Sequence, residues 1–351
     1  MKKRLRTKRL RTKRLLTKRL LTLLAAALLL SACGGQATSS VEATQVPQAS
    51  DTPQPAPTTV PPTETPTPLP PPTATPSPTP TQEPYEKVSD VAYADGDPRQ
   101  KLDVYVPTSG DGPFPVLLAF HEGNFNGGSN NGSKADLRVQ ALYFVEQGYA
   151  VVVPNHRFTP EFIYPAQVQD AFCALAWVHA NADVYDFDTG RIVALGLVSG
   201  GNLAAMLGVV DDPTPYLEGC PHALPEENWI QGVATFTGLF DFENAVYGRY
   251  AEREHYVDYL GGELDEVPET WREASPINWV SENDVPFVLI HGAGADERID
   301  SGESARFRNA LKEAGVDVRL SIVDASHTVF RESVASYRAV EALFARISAQ
   351  P

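Results

Sequence analysis

The chain has 351 residues, 42% of them hydrophobic, and carries 44 acidic against 29 basic side chains. Eleven of the 29 Lys and Arg residues lie in the first 20 positions, so the remainder of the chain is strongly acidic. An acidic body argues against nucleic acid as a partner, because phosphate contacts require Lys and Arg. Residues 85–351 have an ordinary globular composition and are numerous enough for one large domain with a full core.

Residues 1–33 are typical of an export signal. A basic stretch repeats with a period of five, and an apolar run at 20–30 follows it. That run is too short for a stable membrane span but suits the core of a signal peptide. Its end, LSAC at 30–33, resembles a bacterial lipobox, which implies that Cys33 receives a lipid and becomes the mature N-terminus. The alternatives are an ordinary signal peptide with a chance cysteine, or an uncleaved anchor.

Residues 34–84 are rich in Pro, Thr and Ser, and half of the 30 prolines lie between Pro47 and Pro84. So few apolar side chains cannot offset the entropy lost on ordering the segment, and prolines extend it. We predict a disordered stalk that holds the domain away from a membrane. A binding segment for a proline-recognising partner is the alternative.

From residue 85, strand-length apolar runs alternate with helical patterns. An antiparallel hairpin is predicted first, over 88–93 and 101–106. The later runs are 116–120, 149–153, 192–198, 232–236, 287–290 and 320–323, and the helical patterns are 135–147, 166–182, 202–210, 304–314 and 329–347. Continuous apolar strands between helices predict a parallel sheet buried on both faces, in a doubly wound α/β fold.

Functional sites in such folds lie at the carboxyl ends of the strands. The segments that follow four of the apolar runs are HEGN at 121–124, VSGG at 198–201, HGAGADER at 291–298 and DASH at 324–327. A small-residue turn that enters a helix, then an Asp, then a His, is the order of an α/β-hydrolase triad.

The globular part, about 88–348, resembles the α/β-hydrolase esterases, in particular the branch that contains bacterial feruloyl-esterase-like and hormone-sensitive-lipase-like carboxylesterases. The landmarks are GDPRQKLDVYVP at 96–107, YLGG at 259–262, EASP at 273–276 and DERI at 296–299. The resemblance implies a mostly parallel sheet with helices on both faces and a small cap insertion, which we place between Asp241 and Pro286. It also implies that Asp296 is the triad acid and His327 the base.

The nucleophile position departs from the family pattern, Gly-x-Ser-x-Gly-Gly. In a gapless alignment Val198 stands at the apex of the turn, Gly196 and Gly200 flank it, and Ser199 comes one residue late. The alternative alignment puts Ser199 at the apex as the nucleophile. It removes a β-branched residue from a strained conformation but places Leu197 where the turn accepts no side chain. The gapless alignment fits the geometry better, and it leaves the apex without a hydroxyl.

The oxyanion loop departs as well, because the family has His-Gly-Gly-Gly where this chain has His121 followed by Glu122, Gly123 and Asn124. Backbone N–H groups of this loop must face a developing negative charge. A carboxylate at 122 opposes that charge unless it points to solvent. These two departures make an impaired enzyme a serious alternative.

Cys173 and Cys220 are the only cysteines after Cys33, and an exported location is oxidising, so we expect a disulfide between them rather than two separate thiols. His121 and His291 each end a strand and are expected to hold loops by hydrogen bonds. The other non-triad histidines, among them His156, are expected to be surface or packing residues. No metal-ligand spacing or phosphate loop is present in the sequence, and no cofactor is expected.

Three functions remain open. The first is a surface-anchored carboxylic-ester hydrolase that acts on a small-molecule ester with Ser199, His327 and Asp296. The second is a catalytically impaired hydrolase fold that binds or senses a ligand in the same pocket. The third is a structural protein of the cell envelope. In each case the membrane is contacted only through the N-terminal lipid.

Overall fold

Within the described residues, 83–126, 133–245, 253–292, 299–324 and 333–349, the computed structural model has eight strands in one sheet. In chain order they are β1 (Tyr85–Ala92), β2 (Lys101–Pro107), β3 (Phe114–Phe120), β4 (Ala150–Pro154), β5 (Phe187–Leu197), β6 (Gly232–Phe236), β7 (Phe287–Gly292) and β8 (Val318–Val323). Their order across the sheet is β1-β2-β4-β3-β5-β6-β7-β8. These residues belong to the compact unit Ser77–Pro351.

The described helices flank this sheet. They are α1 (Arg138–Glu146), α2 (Ala166–Ala180), α3 (Ala182–Tyr185), α4 (Ser199–Val209), α5 (Phe242–Ala245), α6 (Arg253–Leu260), α7 (Pro268–Glu273), α8 (Gly302–Glu313) and α9 (Val334–Ile347). Helices α5, α6 and α7 lie in the insertion between β6 and β7, where the cap is predicted. In the described ranges, no helix combines the length and the hydrophobicity that crossing a bilayer requires.

The sheet is antiparallel only where the leading hairpin joins it. Strands β1 and β2 pair antiparallel, as do β2 and β4, and every pair from β4 across to β8 is parallel. All five residues of β4 are buried, as a strand covered on both faces requires. The predicted α/β-hydrolase fold, with a mostly parallel sheet and helices on both faces, is therefore confirmed.

Alternate side chains of the central strands enter two separate cores. Leu118 of β3 belongs to the same cluster as Phe172 of α2 and Leu203 of α4. Its neighbour Leu117 belongs to the cluster on the opposite face, with Phe144 of α1. On one face of the sheet, helices α2, α4 and α8 and the cap insertion contribute to the core. On the other face, α1 and α9 do so.

Two of the differences between predicted and observed helix boundaries have clear local causes. The pattern over 135–147 divides, because Ser133 caps a 3-10 turn at Lys134–Leu137 before α1 begins. Helix α4 begins at Ser199, three residues before the predicted start, because the tight turn after β5 leads directly into it.

A disulfide joins Cys173 of α2 to Cys220, with Cα atoms 5.5 Å apart and a sequence separation of 47 residues. It links α2 to the loop that follows α4. Closing a loop of this length restricts the unfolded chain, which stabilises the fold by about 4 kcal/mol in the chain-entropy model.

A buried carboxylate holds the start of the cap insertion. Glu303 of α8 is 2% exposed, and its Oε1 accepts hydrogen bonds from the backbone N–H groups of Phe240 and Asp241 at 2.8 and 2.6 Å. Arg306, one turn along α8, pairs with Glu303 and also with Asp241. Burial raises the pKa of the Glu303 carboxyl to about 7, although these hydrogen bonds and the charge of Arg306 favour the ionised form.

This buried carboxyl predicts a pH-dependent stability. Its folded pKa lies above its unfolded value, so the folded state binds more protons between about pH 4.5 and 7, and stability falls as pH rises through that window. Glu303→Gln keeps the acceptor oxygen but cannot ionise. We expect the unfolding free energy of Glu303→Gln, relative to wild type, to rise between pH 5 and pH 8 by up to about 3 kcal/mol in urea titrations.

The matched control is Glu313→Gln, at an exposed position of the same helix. Its unfolding free energy relative to wild type should be the same at both pH values. An equally constant difference for Glu303→Gln would show that this carboxyl does not titrate in the folded state over this window.

Candidate active site

The carboxyl ends of β3, β4, β5, β6 and β7 lie at one edge of the sheet, because these five strands are neighbours and run parallel. This edge holds the carboxyl ends of the strands, where open α/β sheets place their sites. The HEGN segment follows β3 there, and the VSGG segment follows β5.

The turn between β5 and α4 is strained at one residue. Val198 has φ 53° and ψ −109°, a conformation that β-branched residues rarely adopt and that costs about 1–3 kcal/mol. Its N–H donates to the Phe236 carbonyl of β6 at 2.9 Å, and its carbonyl accepts from the N–H groups of Gly201 and Asn202. The strand therefore reverses into the helix at Val198.

Glycines make this turn possible. A Cβ atom on Gly196 would lie 2.0 Å from the Gly200 carbonyl oxygen, and one on Gly200 would lie 2.3 Å from the Phe120 carbonyl oxygen. Both contacts are with backbone and far below van der Waals distance. The positions two before and two after Val198 thus exclude any side chain, which is the arrangement of the gapless alignment.

Ser199 is the first residue of α4 and lies inside the protein. It is 0% exposed, and its hydroxyl oxygen has no hydrogen-bond partner among the described residues. A buried hydroxyl without a partner costs about 1–3 kcal/mol. In this conformation Ser199 is fully buried and follows the apex of the turn at Val198.

The oxyanion loop follows β3 with three successive positive φ angles, 140° at Gly123, 52° at Asn124 and 61° at Phe125. The Nδ1 atom of His121 lies 2.7 Å from the Glu122 carbonyl oxygen, so the imidazole donates to this carbonyl. Because N–H and C=O of a trans peptide point in opposite directions, this bond also sets the direction of the Gly123 N–H.

The ring of His121 is itself held by a second imidazole. His121 and His156 stack with ring centroids 4.9 Å apart and an interplanar angle of 10°, and both are buried. Burial lowers the pKa of both, to about 4 for His156, so the pair is neutral near pH 7. The expectation that His156 is a packing residue is met, at the rim of the oxyanion loop.

The expected acid and base, Asp296 and His327, lie outside the described residues. The strands that lead to them are described, and β7 ends at Gly292 and β8 at Val323. His291 of β7 is buried and pairs through Nδ1 with the Ser304 hydroxyl and through Nε2 with the Ile299 carbonyl. It therefore joins the end of β7 to Ile299 and Ser304, which follow the expected acid in the sequence. This agrees with the expectation that His291 holds a loop by hydrogen bonds.

No motif in the sequence pointed to the role of Asn202. Its side-chain amide is fully buried and donates to the carbonyls of Leu239 and Ala274, at 3.1 and 3.0 Å. Helix α4 is thereby bonded to the segment just before the cap insertion and to the residue that follows α7 within it. Within the described part of the chain, no group of three or more His, Cys, Asp or Glu side chains could hold a metal ion.

The strand order and the glycine-lined turn from β5 into α4 define an α/β-hydrolase fold. The sequence model of the BD-FAE family matches residues 102–311, more than half of the chain, and the chain belongs to this family. The resemblance inferred from the motifs is confirmed.

Similar proteins carry esterase names. Esterase LipC of Mycobacterium tuberculosis is 31% identical over 214 residues, which cover 58% of this chain and 50% of LipC. Esterase LipQ of the same organism is 28% identical over 243 residues, which cover 65% of this chain and 53% of LipQ. The chain thus spans about half the length of these curated relatives. A truncated carbohydrate esterase from gut microbiota shares the fold, with a TM-score of 0.67 at 22% identity over 77% of this chain and 99% of its own.

The close approach at Gly196 gives a test of the turn. Gly196→Ala would place a methyl group against the backbone of Gly200 and Gly201, which cannot move aside. We expect the unfolding free energy to fall by about 3 kcal/mol in denaturant titrations. Gly190→Ala on the same strand is the control, because its Cβ meets only the Asp188 side chain, at 3.2 Å. Equal effects of the two substitutions would contradict the described packing.

Proposed function

We propose that the domain binds small-molecule carboxylic esters at the carboxyl edge of the sheet and hydrolyses them slowly. The observation that carries this proposal is Val198 at the strained turn of an esterase-family fold. The turn has the shape that presents a nucleophile, but its apex side chain has no hydroxyl. The esterase names of the similar proteins support the reaction class.

The remaining machinery supports a slow reaction. By position, the N–H groups of Gly123 and Asn124 and of Ser199, the residue after the apex, would donate to the ester carbonyl oxygen as charge develops on it. Ser199 N–H also lies at the N-terminus of the 11-residue helix α4, whose dipole favours negative charge.

In this proposal the attacking group is water. His327, oriented by Asp296, takes a proton from the water molecule while the water oxygen attacks the carbonyl carbon. The tetrahedral intermediate then expels the alcohol, which receives that proton. Without a covalent nucleophile, binding and the oxyanion donors alone leave about 10³–10⁴-fold acceleration over water.

A second candidate function is a binding or sensing module that holds a ligand without turnover. It would account for an apex side chain at Val198 without a hydroxyl and for a carboxylate, Glu122, in the oxyanion loop. A binding or sensing module of this kind would keep the fold and the pocket and would not need the triad.

Exchanging the residues of the turn tests these two functions. Val198→Ser combined with Ser199→Ala places the only hydroxyl at the apex. We expect kcat/KM on short-chain p-nitrophenyl esters to rise about a hundredfold or more over wild type, because the proposed base and acid are present. Ser199→Ala alone should change little, because this hydroxyl is buried away from the apex.

The control is Val198→Ala combined with Ser199→Ala, which relieves the strain without adding a hydroxyl and should give no rise. If Ser199→Ala alone abolishes a robust wild-type activity, then Ser199 is the nucleophile and the proposed role of Val198 is wrong. If the variant with Ser at 198 shows no hydrolysis, the binding module becomes the better description.

We also propose that the protein is exported and attached to a membrane of the bacterial cell envelope through a lipid on Cys33. The LSAC sequence at 30–33 and the proline-rich residues 34–84 support this location. The Cys173–Cys220 disulfide suits an oxidising compartment.

Lipid attachment is tested by metabolic labelling. Wild-type protein expressed in bacteria should incorporate labelled palmitate, and Cys33→Ser should incorporate none, because the thiol that accepts the lipid is gone. Cys220→Ser, which keeps Cys33, should remain labelled. A wild-type protein that takes up no label would exclude the anchor.

A further inference from the structure

The oxyanion loop holds a backbone conformation that its own sequence does not favour. Asn tolerates the left-handed region, but Phe125, at φ 61°, is an outlier for a bulky side chain. Such a residue costs about 1–3 kcal/mol and persists only where surrounding contacts hold it. The contacts of Phe125 therefore decide whether the loop keeps its shape.

The shortest ring contact of Phe125 is with one helix of the cap insertion, beside a longer contact with Phe242 and a backbone hydrogen bond from Thr159. The Phe125 ring lies parallel to the ring of Tyr259 on α6, with centroids 3.7 Å apart and an interplanar angle of 4°. Next to it, the Asn126 side-chain amide lies 3.1 Å from Nδ1 of His255. His255 and Tyr259 are four residues apart and share one face of α6. Two successive loop residues thus contact two successive turns of the same helix.

The Tyr259 ring is firmly positioned. It is 0% exposed and packs against Phe242 and Tyr164, with ring centroids 5.7 and 6.0 Å away. Its backbone carbonyl accepts a hydrogen bond from the Tyr164 N–H at 2.8 Å. Its hydroxyl is buried and has no hydrogen-bond partner among the described residues. The ring, and not the hydroxyl, makes the contacts on which the loop depends.

We propose that Tyr259 is a positioning residue, which holds Phe125 and thereby keeps the oxyanion loop, with its Gly123 and Asn124 N–H groups, in the shape that faces the substrate carbonyl. This role rests on the proposed function for its catalytic consequence. The conformational part, in which α6 clamps the loop, stands on the contacts alone.

Hydrogen exchange tests the clamp on the full wild-type chain. Two amides report on the loop, since the Asn126 N–H donates to the Gly123 carbonyl and the Thr159 N–H donates to the Phe125 carbonyl. Tyr259→Leu removes the stacked ring, and we expect both amides to exchange about tenfold faster. Tyr259→Phe keeps the ring, and the exchange should stay within about twofold of wild type.

Phe144→Leu is the control for a general loss of stability. Phe144 is fully buried and aromatic, but it lies in the core on the opposite face of the sheet. Phe144→Leu should leave the hydrogen-exchange rates of the Asn126 and Thr159 amides unchanged when it is compared with Tyr259→Leu at the same fraction of unfolded protein. If Tyr259→Leu likewise leaves both amides unchanged, the clamp does not exist.

The catalytic consequence is measured in the variant with Val198→Ser and Ser199→Ala. In that variant, Tyr259→Leu should lower kcat about tenfold or more with KM little changed. Tyr259→Phe, which keeps the ring, should leave kcat at the value measured with Tyr259 present. Faster loop exchange with unchanged kcat would overturn the positioning role. If the variant with Ser at 198 is inactive, the proposed function fails, and the exchange result still decides the clamp.

Discussion

The left-handed turn at Val198 is the constraint on which the rest of the site depends. It brings β5 to a stop and starts α4 within one residue, and it requires glycine at 196 and 200 because backbone atoms of Gly200 and Phe120 lie within 2.3 Å of any added Cβ. The N–H of Val198 is bonded across to Phe236 of β6. Contacts from three neighbouring strands, β3, β5 and β6, therefore hold the turn in one conformation, and their packing offsets the strain at Val198.

That geometry does not depend on the apex side chain. The hydrogen bonds of Val198 and the close contacts at Gly196 and Gly200 are made by backbone atoms, so the strained conformation is kept with a valine at the apex. The shape of the turn is therefore compatible with an apex residue that has no hydroxyl. The neighbouring Ser199 is the first residue of α4 and is fully buried.

Around the turn, buried polar side chains connect loops that the sheet alone would leave independent. Asn202 joins α4 to Leu239, just before the cap insertion, and to Ala274 within it, and Glu303 of α8 holds the start of that insertion. His291 joins the end of β7 to Ile299. Each such group would be costly to leave unpaired in the interior, so these bonds favour one arrangement of the loops over others.

The sequence by itself determined the fold class, the main strands and the family, because continuous apolar runs and ordered motifs are local features. It also left two alignments for the turn after β5, since valine in a strained turn and leucine in a crowded one are both unfavourable. Only the tertiary structure shows where the strain and the crowding fall, with a positive φ at Val198 and close backbone contacts at Gly196 and Gly200. The same holds for the His121–His156 stack and for Phe125 against Tyr259. These pairs come from distant parts of the chain, and no local pattern specifies which side chains the folded sheet and the cap insertion bring into contact.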